Sequence, residues 1–377
     1  MNYELIPSPC FVLEEAKLKR NLQLLRDVQD QAGVEIICAL KGYSMFSTFP
    51  ILKNYLAGAT ASSVHEARLI NEEWGTRAHS YVPAIREDEI DELIQRSSHL
   101  TFNSWRQFEK FGAKTAAAGV SVGIRINPQY SEVATDLYNP CVPGSRLGVV
   151  RAGLPDQLPA EIEGLHFHTL CENDSHTLER TLEHVEQRFS DLLMQVKWFN
   201  MGGGHLITRA DYDPVHLVQV LKNFKAKFPH LKITLEPGSA VGWQTGVLVS
   251  TVLDVIDAQG ISVAMLDTSF AAHMPDTLEM PYKPRILGAD SEPVPGKPTY
   301  RLGGTTCLAG DYMGDYSFDR ELEEGDKVVL DDMIHYTMVK TTTFNGVNLP
   351  SIGIWREDDT FELIRSYGYE SYRDRLS

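Results

Sequence analysis

Val34-Glu35-Ile36-Ile37-Cys38-Ala39-Leu40-Lys41-Gly42-Tyr43 is the stretch from which the fold can be read. A mostly aliphatic, β-branched run stopped by glycine reads as a buried strand, and it places a lysine, Lys41, at the strand's carboxyl end. A lone lysine there would ordinarily lead the chain out to solvent. What makes this one a candidate for chemistry is that later strands of the same kind also end in reactive or anion-binding residues.

Outward from that strand the chain alternates strand and helix patterns. Strands are predicted at 34–40, 59–63, 78–83, 99–103, 120–126, 163–169, 197–201 and 232–236. An amphipathic helix with Leu18, Leu22 and Leu25 on one face precedes the first, and Ser63-Val64-His65-Glu66 is a capping box opening another. Leu178, Leu182, Val185, Phe189 and Leu192 mark the clearest helical stripe. The segment 127–160 is rich in proline and glycine, shows little helix and reads as a functional loop. Eight alternating units are what a parallel (β/α)8 barrel requires, and one is expected at residues 14–245. After Pro237 the pattern changes to β-branched runs at 246–254, 261–266, 299–302 and 327–339, separated by turns. Residues 1–13, with Cys10-Phe11-Val12-Leu13 as an added strand, join 246–377 in a second, mostly antiparallel β domain.

With 377 residues the chain exceeds a single ordinary core. The formal net charge of −16 disfavours nucleic acid and is permissive for a cationic small molecule. No apolar run reaches membrane-spanning length, and the amino terminus lacks the basic and apolar regions of a signal peptide, so a cytoplasmic protein is expected. The cysteines at 10, 38, 141, 171 and 307 form no CxxC pair, which argues against a disulfide framework or a structural zinc site. No metal is expected among the site residues.

In a barrel of this kind active-site groups lie at the carboxyl ends of strands. Four candidates fall there: Lys41, His168, the Gly202-Gly203-Gly204 run and Glu236. Consecutive glycines let backbone amides approach an anion, and Gly238-Ser239 supplies a second loop beside them. An amine, a phosphate cradle and a carboxylate facing one pocket meet the needs of pyridoxal 5'-phosphate: an imine-forming lysine, amides for the phosphate, and a carboxylate that keeps the pyridine nitrogen protonated. Spacing alone gives His166 and His168 equal claims to stack on the ring. Farther along, Gly303 to Asp311 combines glycines, the Cys307 thiol and the Asp311 carboxylate in one loop. Cys307 is a candidate proton donor to carbon and Asp311 a candidate partner for an ammonium group. Tyr336 is either a phosphate contact or an interior sheet tyrosine.

Together these residues resemble the alanine-racemase-fold decarboxylases that use pyridoxal phosphate, over nearly the whole chain from Pro9 to Tyr336. Among them the pattern is most similar to the carboxynorspermidine (carboxyspermidine) decarboxylases. The resemblance implies that Lys41 carries the cofactor and His168 stacks on its ring. Gly202, Gly203, Gly204, Gly238 and Tyr336 contact it, and Glu236 faces its ring nitrogen. It further implies that Cys307 and Asp311 enter the site of the neighbouring subunit in a head-to-tail homodimer with shared active sites.

The departures bear on substrate. Ser239 stands where many relatives carry an arginine, which removes a feature of the diaminopimelate enzymes. Leu308 replaces the acidic residue that follows the cysteine in ornithine-type enzymes. Asp276, in the region corresponding to the family's acidic recognition segment, is the expected contact for a distal amine. The expected reaction is decarboxylation of carboxynorspermidine, with carboxyspermidine close behind. Ornithine, arginine and diaminopimelate are the alternatives in the same fold. A racemase is disfavoured because Glu236 implies a strong electron sink. A non-catalytic cofactor carrier or inactive relative is disfavoured by the presence of both Lys41 and Cys307.

Overall fold

The computed structural model describes all residues from Met1 to Ser377. The chain forms two compact units, Asn21–Val241 and Met1–Arg20 with Gly242–Ser377. The chain opens with β1 (Cys10–Glu14), which belongs to the second of these.

In the first unit eight strands close into a parallel barrel: β2 (Glu35–Ala39), β3 (Gly58–Ala61), β4 (Ala78–Tyr81), β5 (Ser97–Phe102), β6 (Ser121–Arg125), β7 (Ile162–His166), β8 (Trp198–Asn200) and β9 (Lys232–Leu235). Glu35 and Ile36 of β2 pair with Thr234 and Leu235 of β9 and shut the ring. The aliphatic run is buried as its composition requires, with Ile36, Cys38 and Leu40 wholly covered.

Local chemistry sets the helix starts. Ser63 Oγ accepts from Glu66 N at 3.1 Å, while Glu66 Oε2 accepts from Ser62 N at 2.6 Å. Ser104 and Gln107 repeat that exchange before the helix Trp105–Ala117. Between β6 and β7 only two short 3-10 turns form, and the segment is held by polar contacts. Val149 N donates to Arg125 O at 2.8 Å, and Asn127 N donates to Val149 O at 2.9 Å.

In the second unit β1 lies between β10 (Gly246–Ala258), antiparallel, and β16 (Ser351–Trp355), parallel. β11 (Ile261–Leu266), β12 (Ala289–Asp290), β13 (Thr299–Gly303) and β14 (Tyr312–Phe318) extend the sheet beyond β10, β17 (Phe361–Arg365) pairs β16, and β15 (Lys327–Asp331) also pairs β10. Two expectations are corrected here. The strand expected at 327–339 stops at Asp331, because Asp332 adopts φ +62°, and its Oδ1 accepts from Gln244 N. Tyr336 therefore begins a short helix, Tyr336–Lys340, and is not a sheet residue. β12, β14, β16 and β17 lie outside the predicted runs, and in β14 the Gly314-Asp315 pair is poor in strand propensity.

Candidate active site

The loops at the carboxyl ends of β2, β7, β8 and β9 meet backbone to backbone. A Cβ on Gly42 would lie 3.0 Å from Gly238 Cα and from Ser239 N. On Gly203 it would lie 2.3 Å from Glu236 O, and on Gly204 1.9 Å from Leu170 O. Gly204 also has φ +90°. The glycine run is thus required by close packing of loops, and that packing delivers Lys41, His168 and Glu236 to one face of the barrel.

His168 shows how the site is wired. Gly203 N donates to His168 Nδ1 at 3.0 Å. A backbone amide can only donate, so Nδ1 is the acceptor and the ring proton of neutral His168 sits on Nε2. Nε2 lies 2.9 Å from Lys41 Nζ. The hydrogen bond between them then needs a lone pair on Nζ, that is, an uncharged amine. Electrostatics agree. Burial pushes the Lys41 amine below its ordinary value and Arg125 adds to the fall, against an upward pull from Glu236. His168 is pushed well down by burial, with Lys41 and Arg125 adding to it. A neutral amine is the form that attacks a carbonyl.

Glu236 is the opposite case. Oε2 accepts from Asn200 Nδ2 at 3.0 Å, and Oε1 lies 3.2 Å from His166 Nε2. Burial works to raise its pKa, but His166 and the hydrogen bonds from His166 and Asn200 outweigh burial and bring it to about 2. The carboxylate is held ionised among donors. His166, which spacing could not separate from His168, is the residue that orients this carboxylate. Its own pKa is lowered, by burial first.

Of the three glycine amides, Gly202 N donates to Asn200 Oδ1 at 2.8 Å and Gly203 N to His168 Nδ1. Gly204 N is engaged by neither side chain. Ser239 opens the short turn Ser239–Gly242 next to Gly238.

Sequence reasoning missed Arg125, at the end of β6. It is 4% exposed, donates to His168 O at 2.8 Å and lies 4.7 Å from the Tyr81 ring centroid. Tyr81 OH is held by Asn103 Oδ1 at 2.7 Å. Its position at the carboxyl end of a barrel strand was the available signal.

The remaining candidates belong to the second unit. Cys307 is exposed, and its amide donates to Asn345 Oδ1 at 2.9 Å. Asp311 is buried and takes four donors from its own surroundings: Ser269 Oγ, Ala271 N, Thr306 N and Thr306 Oγ1. Asp276 is buried as well. Its Oδ2 accepts from Tyr282 OH and Thr337 Oγ1, at 2.8 and 2.7 Å, and its Oδ1 has no partner within the protein.

Residues 11–334 match the family described as pyridoxal-dependent decarboxylase, C-terminal sheet domain. A carboxyaminopropylagmatine decarboxylase of Synechocystis sp. is 52% identical over 98% of this chain and 96% of its own length. A carboxynorspermidine/carboxyspermidine decarboxylase of Campylobacter jejuni is 43% identical over 99% of both chains. The crystal structure of the C. jejuni carboxynorspermidine decarboxylase complexed with norspermidine superposes with a TM-score of 0.91 at 41% identity, covering 98% of this chain and 100% of that one.

Proposed function

We propose, because the chain belongs to the pyridoxal-dependent decarboxylase family, that it removes the α-carboxylate of a carboxylated polyamine as carbon dioxide. The observation that carries this reading is the buried Lys41 amine, 2.9 Å from His168 Nε2 and set in one barrel mouth with Glu236, whose carboxylate is held among donors.

The residues fit pyridoxal phosphate by their donor set: a nucleophilic amine, a free glycine amide at Gly204 beside the Gly238-Ser239 turn, and a carboxylate suited to a protonated ring nitrogen. Bound there, the group supplies a carbonyl for amines and a ring that accepts the electrons left when carbon dioxide departs. Lys41 is the attachment point. His168, fixed by Gly203 N, cannot rotate without losing its Nδ1 bond and so presents a constant face to whatever lies in the mouth. Glu236 keeps its negative charge where positive charge must be stabilised, and His166 and Asn200 hold it in place. Arg125 adds to the effect of burial in lowering the Lys41 pKa. Tyr336 contacts the cofactor, Cys307 returns a proton to the α-carbon, and Asp276 and Asp311 receive substrate amines. These four assignments rest on the resemblance. Asp276 has the better-supported claim, since Oδ1 is a buried acceptor without a donor.

Within this substrate class the first reading is carboxynorspermidine, with carboxyspermidine, as for the C. jejuni relatives. The second, favoured by the 52% identity to the Synechocystis protein, is carboxyaminopropylagmatine, which ends in a guanidinium group instead of an amine. Carbon dioxide release from a panel of these three with ornithine and meso-diaminopimelate tests both. A carboxypolyamine should have the highest kcat/KM, and its distal group decides between the readings. An equal or higher value for ornithine or diaminopimelate overturns the substrate class. Borohydride trapping on the Lys41 peptide, absent in Lys41→Ala, checks the cofactor assignment separately.

A further inference from the structure

Where the helices that follow β7 and β8 begin, His176 and Glu179 lie one helical turn apart on the helix Ser175–Leu193. His216 lies in the first turn of the helix Pro214–Lys227. One ligand atom from each residue falls within 4.8 Å of the others. We propose that His176, Glu179 and His216 form a binding site for a divalent transition-metal ion of the zinc type, with a fourth position left to water.

Two imidazoles and a carboxylate are a nitrogen and oxygen set that zinc accepts. The i, i+3 spacing puts His176 and Glu179 on one face, and His216 completes the set from the neighbouring helix. The rings of His176 and His216 are stacked, with centroids 3.9 Å apart, and His216 Nε2 sits 3.4 Å from Glu179 Oε2. Ligands of a tetrahedral zinc ion are about 3.4 Å apart, so rotation of the His176 and Glu179 side chains toward Nε2 of a fixed His216 closes the site without moving the helices.

The orientation of His216 is prepared from behind. Its Nδ1 is 2.9 Å from the hydroxyl of Ser175, a wholly buried residue, which leaves Nε2 to face outward toward Glu179. Metal-bound histidines characteristically make such a bond through the other ring nitrogen. Two helix amino termini would by themselves repel a cation, but each carries an aspartate cap, Asp174 on Thr177 N and Asp213 on His216 N, and Glu179 adds a third negative charge.

The test uses holoenzyme stripped of adventitious metal with a chelator and titrated with Zn2+, then with Co2+ as a spectroscopic probe. One equivalent should bind per chain. The Co2+ complex should show weak visible bands without the near-ultraviolet charge transfer of a thiolate ligand, which separates this site from the exposed Cys307. His176→Asn, on an exposed side chain, and His216→Asn should each weaken Zn2+ by roughly tenfold or more. Their decarboxylase activity should be unchanged. No Zn2+ binding, binding of equal strength in both variants, or a thiolate spectrum would overturn the proposal.

Discussion

At the scale of single residues the barrel mouth lowers the pKa of both Lys41 and Glu236, the first toward its nucleophilic neutral form and the second toward a firmly ionised carboxylate. Arg125 is the test of the first. Replacing it with glutamine removes a positive charge felt by Lys41, so the pH midpoint for reaction of the cofactor-free protein with an aldehyde reagent at Lys41 should move upward. Arg125→Lys should hold it near the original value. An unmoved midpoint in Arg125→Gln would show that burial alone sets the amine. Glu236 gives a prediction with a defined sign. Its folded pKa lies near 2, below that of an unfolded glutamate, so its stabilising contribution is complete above about pH 4.5 and fades as pH falls toward 2. The stability lost in Glu236→Gln, measured by urea unfolding, should therefore be larger at pH 6 than at pH 3. The same variant should lower kcat by about 100-fold or more if the carboxylate acts on developing charge. Lys41, His168 and Glu236 were legible in the sequence because strand ends are visible in apolar runs. The separate work of His166 and Arg125 was not, because which side chain meets which across a barrel depends on register, and two histidines two residues apart share a strand face.

At the scale of elements, close backbone packing explains the glycine run. Gly203 tests this cleanly, since its φ is not in the left-handed region and the only obstacle to a side chain is space. Gly203→Ala would place Cβ 2.3 Å from Glu236 O and 3.2 Å from Pro237 Cα, so either the β8 loop or the β9 end must shift. We expect a loss of about 1–3 kcal/mol in urea unfolding of the cofactor-free protein. Using that form separates loop packing from cofactor retention, and unchanged stability would show that the loops have room to give. Barrel strands such as β2, β6 and β9 could be placed from sequence because each is a short aliphatic run, whereas β4 (Ala78–Tyr81) and β5 (Ser97–Phe102) are legible only from the alternation of strand and helix patterns around them. The β unit was less legible: the 327–339 run looked continuous in β-branched residues, and only the local conformation of Asp332 breaks it. β14 and β17 are diluted by Gly314, Asp315 and Glu362, whose neighbours across the sheet, not their own propensity, make them strands.

At the scale of the whole molecule the resemblance implies an assembly in which Lys41 and Cys307 of one site come from different subunits. Supporting it is the character of the cysteine loop. Cys307 is exposed, and Leu308, Tyr312 and Phe344 around it are each 47% exposed, apolar side chains that a covering surface would remove from water. Asn345, next to Phe344, bonds the Cys307 amide and ties the two exposed segments together. Subunit mixing tests the arrangement, because each variant alone lacks one essential group in every site. In a mixed dimer of Lys41→Ala and Cys307→Ala protomers, one site would carry both substitutions and the other neither. Random exchange of equal amounts should restore about a quarter of wild-type activity, as expected for an isologous two-site dimer. Restoration should follow the rate of subunit exchange, measured independently with labelled protein. If exchange is complete and the mixture stays inactive, the thiol and the lysine serve the same subunit, and the exposed apolar loop must be covered by something other than a second copy's site.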